Sequence, residues 1–149
     1  MKDVQNAIIS ACLTMIAFLS PIHGVLLTVG LFIMFDTIMA YWRCKVKKEK
    51  WTSKKLRIGL VPKFLSYQTI VILFFFMDKY ILFEFTKYII EIDYLMTKIL
   101  AIVLLYIEYK SINETFVIIK GKSLTAYLKE LMKLGNDIKD DFNNRNPDK

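Results

Sequence analysis

Residues 4–35 read VQNAIISACLTMIAFLSPIHGVLLTVGLFIMF, thirty-two positions without a formally charged side chain, His23 being the one titratable interruption. The run is followed at 43–57 by RCKVKKEKWTSKKLR, which sets eight Lys/Arg against the single Glu49. A bilayer core of roughly 30 Å needs about 20 apolar residues as helix. A long apolar stretch abutting a dense cationic cluster is therefore the pattern of a membrane helix that ends at a cytoplasmic loop. Juxtamembrane cations gain about 1 kcal/mol each from an anionic lipid surface.

Composition agrees with that reading. The chain has 149 residues, 55% of them hydrophobic, and a mean hydropathy of +0.39, too apolar for a soluble domain of this size. Net charge is +7, and the basic loop supplies all of it, eight cations less Glu49. The positive balance is thus confined to one membrane-flanking segment, so no nucleic-acid partner is expected. The expected fold class is all-α: a polytopic transmembrane helical protein of three to four membrane helices plus a C-terminal amphipathic helix. Residues 1–121 form the membrane part; 122–149 form a cytoplasmic helix and polar tail.

Met1-Lys2-Asp3 is a weak positive start, and no Ala-x-Ala site follows the first apolar run. The second apolar run and the basic stop point to retention as an anchor rather than cleavage. Cys12 lies mid-span and Cys44 beside the basic loop, so no disulfide is expected in a reducing cytoplasm.

Ser20-Pro21-Ile22-His23-Gly24 breaks the first apolar stretch, because proline disfavours helix at the preceding residue and glycine permits a tight turn. Helix is expected over Val4–Leu19 and again over Gly24–Trp42, with Tyr41 and Trp42 in an interfacial belt. Ala7, Ser10, Ala11, Thr14 and Ala17 share one face of the first helix. Small residues let helix backbones approach closely in lipid, so this face is a contact surface, within the chain or between copies.

The next span is expected at Gly59–Met77, with Lys63 snorkelling toward the basic side and Asp78-Lys79 closing it. Between Ile81 and Lys98, Glu84, Lys87, Glu91 and Lys98 form one stripe of alternating sign, read as an amphipathic helix in the outer interface. The last span is Leu95–Ile107, extended by Glu108–Ile119. From Ser123, Leu124, Tyr127, Leu128, Leu131, Leu134 and Ile138 keep helical spacing, and Asp140–Lys149 reads as a disordered polar tail. With the basic loop (Arg43, Lys45, Lys47, Lys48, Lys50, Lys54, Lys55, Arg57) inside, four crossings leave both termini cytoplasmic. Three would place the N-terminus outside.

No catalytic constellation is visible. His23 has no carboxylate or cysteine near it in sequence, and no phosphate loop or metal-ligand spacing occurs, so neither an enzyme nor a cofactor is expected. The polar residues within apolar runs matter more. Asp36 sits inside the second helix, where a carboxylate at mid-bilayer costs about 2.5–3.5 kcal/mol. It is either paired or pore-facing, or it snorkels toward the nearby cations. Glu108, Ser111 and Thr115 share one face of the last membrane segment and pair between helices or continue a solvated face.

Glu108-Tyr109-Lys110-Ser111-Ile112-Asn113-Glu114 resembles the Glu-x-x-Ser-Ile-x-Glu-Asn signature of the phage lysis and toxin-secretion holin family, with Thr115 in place of the final Asn. Phe35-Asp36 is similar to that family's Asp-x-x-x-Gly element, with Ala40 in the glycine place. Ser53-Lys54-Lys55, Gly59 and Lys63 resemble its Ser-Lys…Gly-x-x-x-Lys loop, Asp78 its span-closing acid, and Gly121 its glycine after the signature. The family's proline after that glycine is missing. The resemblance implies a protein of the bacterial inner membrane that self-associates and permeabilises it, releasing an endolysin or a toxin without binding it directly. Asp36 with Ala7, Ala11 and Thr14 are the expected oligomer contacts, and lipid and further copies of the chain the expected partners. The alternatives are a non-lytic scaffold recruiting a soluble partner through the C-terminal helix, or a small channel or transporter subunit using Asp36.

Overall fold

The computed structural model describes residues 2–50, 52–86 and 92–145, with backbone alone at residues 55 and 86 and at 140–145. No strand occurs among the described residues; the chain is all-α. The helices are α1 (Lys2–Leu19), α2 (His23–Val46), α3 (Ser53–Met77), the short α4 (Phe83–Thr86), α5 (Leu95–Lys120) and α6 (Leu124–Arg145).

Helices α2, α3 and α5 form a three-helix bundle. Val29 and Ile33 of α2, Val71 and Phe75 of α3, and Ala101 and Leu104 of α5 make one buried cluster, closed at one end by Ile22. Met39, Ile112 and Phe116 make a second, smaller one toward the basic loop. The order of these contacts runs α2 parallel to α5 and α3 antiparallel to both. At about 1.5 Å per residue the three helices span roughly 36–39 Å, enough for a hydrocarbon core and its headgroup borders. Close approach of α2 and α3 depends on Gly30, where an added Cβ would lie 3.2 Å from the Phe64 ring. Nearby, Gln68 Nε2 donates to the Leu26 carbonyl at 3.1 Å.

The outward surface is as apolar as the interior. Leu27, Leu31 and Phe35 of α2, Leu65 and Leu73 of α3, and Ile102 and Tyr106 of α5 are all more than half exposed. A continuous apolar exterior of this size exceeds what soluble monomers tolerate. Two helical runs, Lys2–Val46 and Leu56–Phe85, are long and apolar enough to cross a membrane. Helix α5 carries Lys98, Glu108, Lys110, Glu114 and Lys120 along its length. Hydroxyls in the first two helices are satisfied locally: Thr14, Thr28 and Thr37 each donate to the carbonyl four residues back.

The break at Ser20–Gly24 is not a tight turn. Ser20–Ile22 forms a single 3-10 turn with Pro21 near its start, where a missing N–H costs nothing, and helix resumes directly at His23. Gly24 keeps a negative φ inside α2. No residue of α1 is buried. Its last turn is held by Phe18, whose ring meets Phe75 edge-on at 5.5 Å and lies 4.0 Å beneath the Lys79 ammonium.

Two other expectations are corrected. The single helix expected over Ile81–Lys98 is divided: Asp78–Leu82 is a π-helical turn leading into α4, and α5 starts at Leu95 after a left-handed Tyr94 (φ 55°). Glu84 and Lys98 therefore belong to different helices, while Lys87 and Glu91 lie outside the described residues. Helix α6 also continues to Arg145, through part of the expected disordered tail. The run from Leu95 through Glu108–Ile119 is one uninterrupted helix, α5.

Candidate functional site

Each bundle helix contributes one charge to a shared cluster. The Lys63 ammonium of α3 donates to Asp36 Oδ2 of α2 at 2.9 Å and lies 2.6 Å from Glu108 Oε2 of α5. The Glu108 side chain is fully buried, whereas those of Asp36 and Lys63 retain 15% and 28% exposure. The Lys63 ammonium thereby reaches carboxylates on both neighbouring helices. Tyr67, one turn along α3 from Lys63, is the next polar group in electrostatic contact with Glu108.

Two carboxylates and one ammonium leave a formal charge of −1 inside the bundle. Asp36 lies six residues before Trp42, about 9 Å along α2. Charges taken out of water inside a bundle are tolerated only when they face one another. Removing one partner of a buried ionic set exposes the others to the full desolvation penalty, about 3–5 kcal/mol. The cluster therefore fixes the rotation of all three helices. Lys63 does not snorkel to the basic side, as expected from its position; two carboxylates at hydrogen-bonding distance hold its ammonium in the bundle.

A second polar tie closes the opposite end of the bundle. Asp78, buried at the end of α3, accepts from the Thr97 backbone N–H at 2.7 Å, the Thr97 hydroxyl at 2.6 Å and the Met96 N–H at 3.3 Å. These are orphan donors of the first turn of α5, so Asp78 acts as its N-cap from another helix. A third tie joins α5 to α6. Gly121 ends α5 in the left-handed region (φ 71°), Ser123 Oγ accepts from the Ala126 N–H, and Asn113 Oδ1 accepts from the Leu124 N–H at 2.9 Å.

The signature residues divide by burial. Glu108 and Ile112 are buried, Ser111 is half-buried and Glu114 is exposed. Ala7, Ala11 and Thr14 line a shallow open groove on α1 with Ser10, Met15 and Phe18, and no described helix covers it. They are not brought to Asp36. In the basic loop, Lys45, Lys47, Lys48, Lys50, Lys54 and Arg57 are exposed and Arg43 is half-buried. Lys48 takes a left-handed φ of 55° in the turn. The Lys120 ammonium sits 5.5 Å over the Trp42 ring, which joins the ends of α2 and α5. Cys12 is exposed and Cys44 buried, far apart along the same helical run. His23, exposed, has Nδ1 2.7 Å from the Ser20 carbonyl. Among the described residues no group of three or more His, Cys, Asp or Glu could hold a metal ion.

Reading from sequence missed Lys63 as the centre of the cluster and Asp78 as a cap. The signal for Lys63 was an ionisable residue following Pro62 inside an apolar helix, which by default seeks an intramembrane partner. No protein-family model, curated protein or solved structure matches the chain.

Proposed function

We propose that this chain is a holin of the phage lysis and toxin-secretion type, a multi-pass protein of the bacterial inner membrane that accumulates, self-associates and permeabilises the bilayer. The observation that carries this reading is the Asp36–Lys63–Glu108 cluster inside a bundle with an apolar exterior. Its three members are also residues on which the family resemblance rests, and the other landmarks, Asp78 and Gly121, sit at the two remaining inter-helix ties. The resemblance thus falls on positions that have a joint physical role.

In the proposed mechanism the single copy hides its charges among its own helices. Polar groups in lipid gain when copies assemble and offer further partners or water. Glu108, fully buried and sharing the Lys63 ammonium with Asp36, is the residue with most to gain. The basic loop holds its side of the protein in the cytoplasm, and the released endolysin or toxin passes without a binding site on this chain. No enzymatic step is assigned.

Induced expression with a potential-sensitive dye tests the reading. A silent interval followed by abrupt loss of membrane potential supports it; undisturbed potential with the protein present in the membrane fraction overturns it. The same buried cluster favours one other reading, a small channel or transporter subunit. That reading requires graded, substrate-dependent flux that falls with Asp36→Asn and no abrupt event.

A further inference from the structure

Helix α6 presents an apolar face that, among the described residues, is covered only at the first turn. There Leu124 and Tyr127 pack against Phe116, with the Phe116 and Tyr127 rings 5.4 Å apart. The same face then runs on through Leu128, Leu131, Leu134 and Ile138, which are about half exposed. Where α5 ends and α6 begins, Lys120, Lys122, Tyr127, Glu130, Leu131 and Leu134 line an open groove of about 330 Å³. Its floor is apolar and its rim holds two cations. Lys122 pairs with Glu130 at 2.9 Å, and Lys120 sits over Trp42.

We infer that this face docks on the phospholipid leaflet beside the basic loop, with an anionic headgroup against Lys120 and Lys122 and an acyl chain along Tyr127, Leu131 and Leu134. Three features favour lipid over other occupants. The Trp42–Lys120 pair marks this end of the bundle as the headgroup level, and Gly121 and Lys122 alone separate α5 from the start of α6's cap at Ser123. The apolar face is therefore delivered to the membrane surface by continuity with the α5–α6 contact. Charge is complementary, because Lys120 and Lys122 add to the basic loop at the same end, and each cation near an anionic leaflet strengthens binding. The stripe left after the first turn, Leu128 to Ile138, covers about one and a half heptads, short of the three to four that a coiled coil with a second copy requires.

Docking also stabilises α6, which carries Gly135 at its centre. A lone amphipathic helix with an interior glycine is marginal in water, and an interface that accepts its apolar face supplies what packing does not. Glu130 is the one carboxylate lining the groove and competes with the headgroup for Lys122.

This inference rests on the membrane reading but not on pore formation. The test uses the full-length chain, with Cys12→Ser and Cys44→Ala, carrying one fluorophore-labelled cysteine at Leu131, Leu134 or Lys133, or at Leu73 on the exterior of α3. Each is reconstituted in phosphatidylcholine vesicles with or without phosphatidylglycerol, and quenching by bromo- or doxyl-labelled lipid is measured. Positions 131 and 134 are expected to be quenched several-fold more than 133, and more strongly with phosphatidylglycerol. Lys120→Gln/Lys122→Gln removes that dependence and Glu130→Gln increases it. Lipid quenching at 73 but not at 131 and 134 overturns docking alone, as does self-quenching between copies at 131, which would make a second chain the occupant. Absence of quenching at 73 as well overturns the membrane reading itself.

Discussion

Asp36 and Glu108, on different helices, share the ammonium of Lys63 at 2.9 and 2.6 Å. Neither carboxylate has another cation within ion-pair distance among the described residues. One lysine therefore holds α2, α3 and α5 in a single mutual rotation, and the cluster responds to substitution as a unit rather than as two pairs.

Lys63→Met leaves two carboxylates buried face to face. A loss of about 3–5 kcal/mol is expected in micelle unfolding titrations, larger than for Glu108→Gln, which keeps shape and lowers the formal charge. The triple variant Asp36→Asn/Lys63→Met/Glu108→Gln should recover most of the loss, a non-additivity expected of directly coupled residues. A triple variant as unstable as Lys63→Met would show that the cluster is held by shape and not by charge.

Asp78→Ala removes the acceptor for three donors at the start of α5. The cost is about 1–2 kcal/mol, and Asp78→Asn, which keeps an acceptor oxygen, loses less. Hydrogen exchange reports it: amides of Met96 and Thr97 should exchange about tenfold faster for each 1.4 kcal/mol lost, with those around Ile112 unchanged.

Gly30→Leu forces α2 and α3 apart at the Phe64 ring, 3.2 Å from the new Cβ position. Overpacking of this kind costs about 1–3 kcal/mol, and Phe64→Ala in the same chain should return part of it. Gly30→Ala is milder, since the ring edge has only tenths of an ångström to yield. Thermal unfolding of the four proteins in one detergent checks the order.

Gly121→Val places a β-branched residue at a left-handed φ of 71°, at a cost of about 1–2 kcal/mol. Asn113→Leu removes the acceptor of the Leu124 N–H at the same elbow. Both should speed limited proteolysis between α5 and α6 while leaving cleavage within the basic loop unchanged.

Much of this was legible beforehand. The break at Pro21 falls where α1 ends and the basic residues cluster between α2 and α3, whereas Glu108 reads in sequence either as a partner between helices or as part of a solvated face. The α5–α6 boundary follows from Gly121, the residue expected to tolerate a left-handed cap. Two errors share a cause. Lys63 reads as snorkelling toward the basic side, and the residues from Ile81 to Lys98 as one helix, when only neighbours in sequence are used. The left-handed Tyr94 and the trans cap from Asp78 depend on contacts between segments that a local pattern does not contain.

Hydropathy and charge along the chain were enough to determine helical content, the apolar exterior and the basic turn, because each depends on residues within a few turns of one another. The tertiary structure alone decided that Asp36, Lys63 and Glu108 meet, that Asp78 caps α5, and that the rest of α6's apolar face stays uncovered. Those outcomes depend on the relative rotation and register of whole helices. A helical repeat defines a face but not the neighbour it turns toward, and only packing in three dimensions makes that choice.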